Sequence, residues 1–152
     1  MKIKLRNGYI AVYGNTIPLK LAQITSGHKI ATVSAFIPFI FFQDETFERP
    51  YIVNHEKIHF RQMLELLFIF LFILKFIEFN YARFILKKNL YESYLFTSIE
   101  QEAYLNQNNS NYLKERHLFS IFKYIFNKKD FKYIRDTGEV IINEEPLPAS
   151  PY

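Results

Sequence analysis

The stretch from residue 51 to residue 137 contains neither glycine nor proline, and this feature constrains the fold of the chain most strongly. The four glycines lie at positions 8, 14, 27 and 138, and the six prolines at 18, 38, 50, 146, 148 and 151. Inside a helix, glycine and proline cost about 1 and 3 kcal/mol relative to alanine, so a long stretch without them is typical of helical structure. We therefore predict that residues 51–126 are mainly helical and that residues 1–50 are mainly β.

The N-terminal part carries the signals of a small sheet. Residues Lys2 to Val12 partly alternate between polar and apolar, and Asn7-Gly8 is a turn signal. The apolar run from Ile30 to Phe42 is rich in β-branched and aromatic residues and predicts another strand. Pro38 lacks the N–H that a central strand needs, so we expect this strand at a sheet edge. The predicted fold class is α+β, a small antiparallel sheet packed on a helical core.

The helical part should contain several breaks. A helix beginning at residues 51–54 and running unbroken to Leu86 would be roughly 50 Å long. That length is too great for a compact domain of this size, so we expect a turn between Lys75 and Asn80 and a second break at residues 87–89. A further helix should end near Asn106, beginning at residue 90 or at a capping box at residues 97–101.

The C-terminal part should be less regular than the helical core. Apolar residues at helical spacing predict an amphipathic helix over residues 112–126. Residues 127–152 are polar and end in proline-rich sequence, which indicates a loosely ordered tail. We therefore expect one domain, residues 1–126, followed by this tail.

Composition excludes several classes of function. The chain has no cysteine, so any metal must be held by histidine and carboxylate. The net charge of +4 comes from scattered lysines and arginines, which argues against nucleic-acid binding. The N-terminus lacks the apolar core of a signal peptide. Residues 66–86 are strongly apolar but interrupted by charges, so we expect a cytoplasmic or membrane-associated protein with membrane contact through this segment.

The sequence His55-Glu56-Lys57-Ile58-His59 is the strongest chemical signal in the chain. On a helix, residues four apart stack on one face, so the two imidazoles can reach one zinc ion at about 2.0–2.1 Å. Glu56 lies on the adjoining side, where it can act as a general base toward a water on the metal. A catalytic zinc needs a third protein ligand, and Glu100 and Glu102 on the later helix are both candidates.

This pattern resembles the gluzincin metallopeptidases, in particular the HtpX and CaaX prenyl protease group and the minigluzincins. Those proteins carry His-Glu-x-x-His followed by Glu-x-x-Ala-Asp, and residues 55–59 and Glu100-x-x-Ala103 match. The resemblance covers roughly residues 30–105. It implies a zincin-like fold with His55, His59 and Glu100 as zinc ligands, and it favours Glu100 over Glu102. It also implies an edge strand above the metal helix along which an extended peptide substrate binds.

The chain departs from that family at Tyr104, where the family has aspartate. The aspartate is thought to support a zinc-binding histidine, and such partners fix the orientation and basicity of the ligand. A donor for the oxyanion is also not identified, and Tyr104, His28 and His117 are the candidates.

Three interpretations follow. The first is a zinc metallopeptidase that hydrolyses peptides bound along residues 30–42. The second is a catalytically inactive zinc-binding or membrane-associated interaction protein with the same fold, which Tyr104 favours. The third is a helical structural protein in which the motif occurs by chance.

Overall fold

The computed structural model describes residues 1–26, 33–134 and 139–142. Its strands are β1 (Lys2–Arg6), β2 (Tyr9–Tyr13), β3 (Val33–Phe36), β4 (Phe39–Phe42), β5 (Phe131–Ile134) and β6 (Glu139–Ile142). Its helices are α1 (Ile17–Ser26), α2 (Pro50–Glu65), α3 (Ile69–Asn80), α4 (Leu90–Phe96), α5 (Ser98–Asn106), α6 (Tyr112–Glu115) and α7 (Ile121–Phe126). The predicted α+β class is confirmed: a small N-terminal sheet packs on a helical part.

The sheet has the order β1-β2-β4-β3. The predicted Asn7-Gly8 turn joins β1 to β2, with Arg6 paired to Tyr9 and Gly8 at φ 83°, a backbone conformation that glycine adopts readily. Strand β2 pairs antiparallel with β1 and parallel with β4. The sheet is therefore mostly antiparallel, with one parallel pair between its two central strands.

Two expectations for residues 1–50 were wrong in detail. The run from Ile30 to Phe42 is not one strand, because β3 and β4 form an antiparallel hairpin that turns at Ile37-Pro38. Proline fits this turn because it has no N–H to donate there. Strand β3 occupies the sheet edge, while β4 is central; residues 30–32 lie outside the described part. The segment also contains helix α1, which the β-rich expectation missed.

The first helical break lies earlier than predicted. Helix α2 ends at Glu65, and Leu67 and Phe68 both have positive φ before α3 begins at Ile69. No break occurs at Lys75–Asn80, because the side chains of Lys75 and Glu78 point inward from a continuous helix toward partners on α5. The Phe68 ring packs on Phe36 of β3, with centroids 5.1 Å apart, which ties this break to the sheet.

The later helices are shorter than expected. The break at residues 87–89 is confirmed, and a π-helical turn, Tyr81–Ile85, precedes it. The capping box lies at Asn89 and Glu92, at the start of α4, and not at residues 97–101. Residues 112–126 form two helices, α6 and α7, separated at residues 116–120.

Part of the expected tail is ordered into a hairpin. Strands β5 and β6 pair antiparallel, and Phe131 is buried. Residues 135–138 and 143–152 lie outside the described part. Among the described residues, no helix combines the length and the apolar character needed to cross a membrane.

Candidate metal centre

Helix α2 presents both histidines of the motif to the interior. Pro50 occupies its first turn, where a missing N–H costs nothing. His55, Ile58, His59 and Gln62 are all buried on one side of the helix, as a spacing of three and four residues requires. The His55 and His59 rings meet edge to face with centroids 4.8 Å apart, and their Nε2 atoms are 3.1 Å apart.

Glu100 completes the group from the first turn of α5. Its Oε2 atom lies 3.5 Å from His55 Nε2 and 3.6 Å from His59 Nε2. Two ligands held at 2.0–2.1 Å around a tetrahedral zinc lie roughly 3.4 Å apart, close to all three separations. Glu100 is only 2% exposed, and its Oε2 has no hydrogen-bond partner among the described residues. A buried carboxylate oxygen without a partner is costly, so this atom fits a cation.

Gln62 sets the tautomer of His59. The Gln62 amide nitrogen donates to the Ile99 carbonyl at 3.1 Å and to Glu102 at 2.9 Å. Its Oε1 is therefore the acceptor for His59 Nδ1, 2.7 Å away. Because Nδ1 carries the hydrogen, Nε2 is the nitrogen left to bind a metal.

Gln107, just beyond α5, serves His55 in the same way. His55 Nδ1 lies 3.1 Å from Gln107 Oε1, which again turns Nε2 toward the centre. Tyr104, where the resembling family has aspartate, instead packs its ring edge against His55 with centroids 4.5 Å apart. The hydrogen-bond partner of His55 Nδ1 is thus an amide three residues after Tyr104. Gln62 and Gln107 were not among the residues predicted from the sequence, because glutamines are common on helix surfaces.

Lys75 holds the other oxygen of Glu100. Its Nζ donates to Glu100 Oε1 at 2.8 Å from the inward side of α3. Burial would raise the pKa of Glu100, but Lys75 and the two imidazoles outweigh it and hold that pKa well below its usual value. Burial lowers the pKa of His59, but the carboxylates of Glu100 and Glu56 outweigh this effect and raise that pKa above its usual value. The feature of the sequence that could have identified Lys75 as a site residue is its position as a single cation within an apolar run.

Glu56 lines a cleft together with the histidine pair. The cleft has a volume of about 890 Å³ and is lined by α2, by the edge strand β3 and by Lys75 and several tyrosines. Glu56 is buried, and this burial raises the pKa of its carboxyl. Residues of β3 that line the cleft are Val33, Ser34, Ala35 and Phe36. Among the described residues, no strand pairs with the outer edge of β3, which borders the centre.

Tyr94 is a further cleft residue that the sequence did not indicate. Burial, and next the Glu100 carboxylate, raise the pKa of its hydroxyl well above the usual value. Lys75 Nζ lies over the Tyr94 ring, 4.9 Å from its centroid. Tyr94 thus remains a neutral donor next to the candidate ligand.

Glu102, the alternative third ligand, faces away from the histidines. Its carboxylate accepts hydrogen bonds from Tyr112 at 2.9 Å, from Arg116 at 2.5 Å and from Gln62. The geometry therefore brings Glu100, and not Glu102, to the histidine pair. Of the other candidates, His117 is exposed outside the cleft and His28 lies outside the described residues.

The buried group His55, His59 and Glu100 could hold a metal ion, since one ligand atom from each lies within 4.8 Å of the others. Comparison of the chain with protein-family models, with curated proteins and with solved structures finds no match.

Proposed function

We propose that this chain is a zinc-dependent metallopeptidase of the gluzincin type. The observation that carries the proposal is the convergence of His55 Nε2, His59 Nε2 and the unpartnered Glu100 Oε2 beside a buried glutamate in a cleft. Two imidazoles and one carboxylate are the donor set of a catalytic zinc site, and zinc is the metal that this set holds in such peptidases.

The roles of the residues follow from their positions. His55, His59 and Glu100 would hold the ion, which when bound supplies Lewis-acid polarisation and lowers the pKa of water to about 7. Glu56 takes the proton from the attacking water and passes it to the leaving amine. Lys75 fixes Glu100 through Oε1 and leaves Oε2 for the metal. Tyr94 and Tyr104 are the hydroxyl donors in the cleft for the charge that develops on the carbonyl oxygen.

The substrate proposed is a peptide in extended conformation. Strand β3 has one side paired with β4, and its residues line the cleft above α2. An extended peptide can pair with such an edge through main-chain hydrogen bonds, while pockets select alternate side chains. This arrangement would carry the scissile bond past Glu56.

A second candidate is a zinc-binding protein of the same fold without peptidase activity. Tyr104 favours it, because its ring packs between His55 and Tyr133 of β5, with centroids 4.5 and 4.8 Å away. A neutral aromatic side chain supports His55 less than the aspartate of the resembling family, and a crowded cleft restricts substrate access.

The test begins with zinc content. We expect about one zinc per chain by elemental analysis after purification without chelator, lost in His59→Ala and in Glu100→Ala. His117→Ala is the matched control, since that histidine is exposed and outside the cleft. Full zinc in Glu100→Ala, or none in the wild type after reconstitution, would contradict the proposed site.

The variant Glu56→Gln distinguishes the peptidase hypothesis from that of a zinc-binding protein without activity. It should leave zinc bound and lower cleavage of a fluorogenic peptide library by at least 10²–10⁴-fold, because the proton acceptor is lost. Wild-type protein that binds zinc but cleaves no more than Glu56→Gln does would support the inactive alternative.

A further inference from the structure

Helix α3 turns its charged side chains toward the interior of the molecule and many of its apolar side chains toward solvent. Its inward side carries Leu71, Lys75 and Glu78 at spacings of four and three residues, followed by the buried Ala82 of the π-helical turn. The two charged side chains find partners there: Lys75 pairs with Glu100, and Glu78 accepts from the Ser98 backbone at 2.7 Å. The ionisable groups of this helix are thus all used inside the molecule.

The outward side of the same helix, and of the residues that flank it, is apolar. We call it the α3 face; its members are Leu67, Ile69, Phe70, Phe72, Ile73, Phe76, Ile77, Tyr81, Phe84, Ile85 and Leu86, all exposed. At 150–250 Å² for a complete aromatic side chain, its four phenylalanines alone present roughly 500 Å². The largest apolar patch of a typical monomer is about 300–600 Å² in total, so the whole face exceeds it.

Charge at the ends of the face points to the kind of partner. Exposed Arg61 lies one turn before the exposed Leu64 of α2, ahead of the face, and exposed Lys87 follows its last residue. Glu78 is the only acidic residue from 66 to 91, and it is buried. Apolar side chains bracketed by cations match the interface of an anionic lipid layer.

The shape agrees with a helix lying in the plane of that layer. Residues 69–85 span roughly 25 Å at 1.5 Å per residue. The face offers few hydrogen-bonding groups, the Tyr81 hydroxyl among them, whereas protein interfaces carry about one hydrogen bond per 100–200 Å². Apolar side chains that enter a lipid layer need no such hydrogen bonds.

We propose that the α3 face docks the protein on the surface of an anionic membrane, with α3 parallel to the surface and its apolar side chains in the acyl boundary. The face is continuous with the cleft, because Phe72 belongs to both and the Phe68 ring beside it packs on Phe36 of β3. The cleft therefore borders the face that would meet the lipid. This docking does not depend on the metal or on catalysis.

Vesicle flotation with the full chain tests the proposal. We expect the protein to float with vesicles of phosphatidylcholine containing 30% phosphatidylglycerol, and to float less with phosphatidylcholine alone. Ile77→Asp, at a position 59% exposed, should reduce the bound fraction at least tenfold. Leu5→Asp is the matched control on strand β1, at a position 83% exposed, and should stay within twofold of the wild type.

A second variant tests the charge. Lys87→Glu should weaken binding to the anionic vesicles by about fivefold or more and leave binding to phosphatidylcholine unchanged, since one cation near the surface contributes about 1 kcal/mol. Circular dichroism checks that each variant is folded. Failure of the wild type to float overturns the proposal. So does sedimentation showing a lipid-free dimer that Ile77→Asp dissociates, because a second copy would then cover the face.

Discussion

Single polar atoms decide which nitrogen of each histidine is available. Gln62 and Gln107 each place an amide oxygen against Nδ1, at 2.7 and 3.1 Å. A neutral amide sets the tautomer as a carboxylate does, but it adds less basicity to the imidazole. Each histidine therefore keeps a hydrogen-bond acceptor that orients its ring, but that acceptor carries no negative charge.

Substitutions of Gln107 test this interpretation at the residue scale. Gln107→Leu should weaken zinc binding about 10–100-fold, because His55 loses the acceptor that orients its ring. Gln107→Glu should bind zinc at least as tightly as the wild type, because a carboxylate is the stronger partner. Competition with a chromophoric chelator measures both affinities. Equal affinities for the leucine and glutamate variants would show that the 3.1 Å contact does not orient His55.

At the scale of elements, charged side chains from one segment hold the ends of another. Glu78 of α3 accepts hydrogen bonds from the backbone and hydroxyl of Ser98, so it stabilises the start of α5, two residues before Glu100. Glu48, which precedes α2, accepts from Arg6 on β1 and from Tyr9 and Tyr13 on β2. The second cluster joins the β1–β2 hairpin to the chain that enters the histidine helix.

The Glu48 cluster predicts a pH dependence of stability. Hydrogen bonds from Arg6, and then from the two tyrosines, lower the pKa of Glu48 to about 2, against the opposing effect of burial. Because the folded-state pKa lies below the unfolded value near 4.5, its contribution is complete above about pH 5 and is lost as the pH falls toward 2.

Glu48→Gln should therefore lower the free energy of unfolding by about 1–3 kcal/mol at pH 7, with the difference from the wild type shrinking toward pH 2. Urea unfolding at several pH values measures this. Asp130→Asn is the control, since that carboxylate is exposed and pairs with Lys88 on the surface. A difference independent of pH would rule out the charged cluster as its cause.

At the scale of the whole molecule, one buried arginine joins the two helices that carry the candidate metal ligands. Arg116, after α6, forms a two-bonded pair with Glu65 at the end of α2, and its Nε donates to Glu102 of α5 at 2.5 Å. All three side chains are almost completely buried. The cluster thus links the end of α2 to α5, the helix that brings Glu100 to the histidines.

Removing the cation should be far more damaging than removing a surface charge. Arg116→Met leaves two buried carboxylates without their partner and should lower the free energy of unfolding by about 3–5 kcal/mol. For a chain of this size that corresponds to a fall in Tm of roughly 10 °C or more. Lys114→Met, at an exposed neighbouring position, is the matched control. A Tm for Arg116→Met close to that of Lys114→Met would contradict the role given to the cluster.

Local periodicity determined much of the architecture. The absence of glycine and proline between Pro50 and Gly138 predicted helices, the Asn7-Gly8 turn predicted the first hairpin, and the four-residue spacing predicted that His55 and His59 share a face. These inferences hold because each depends on backbone geometry over a few residues, which the sequence displays directly.

Only the tertiary structure decided the remaining features. Glu100 and Glu102 lie on the same short helix. Arg116 and Tyr112 donate to Glu102, whereas the histidines face Glu100. Lys75 stays within a continuous helix, where its Nζ pairs with Glu100 of α5, and the break lies at Leu67 and Phe68 instead. Pairings between distant residues depend on how helices pack, and helical periodicity carries no information about the partner across the interface.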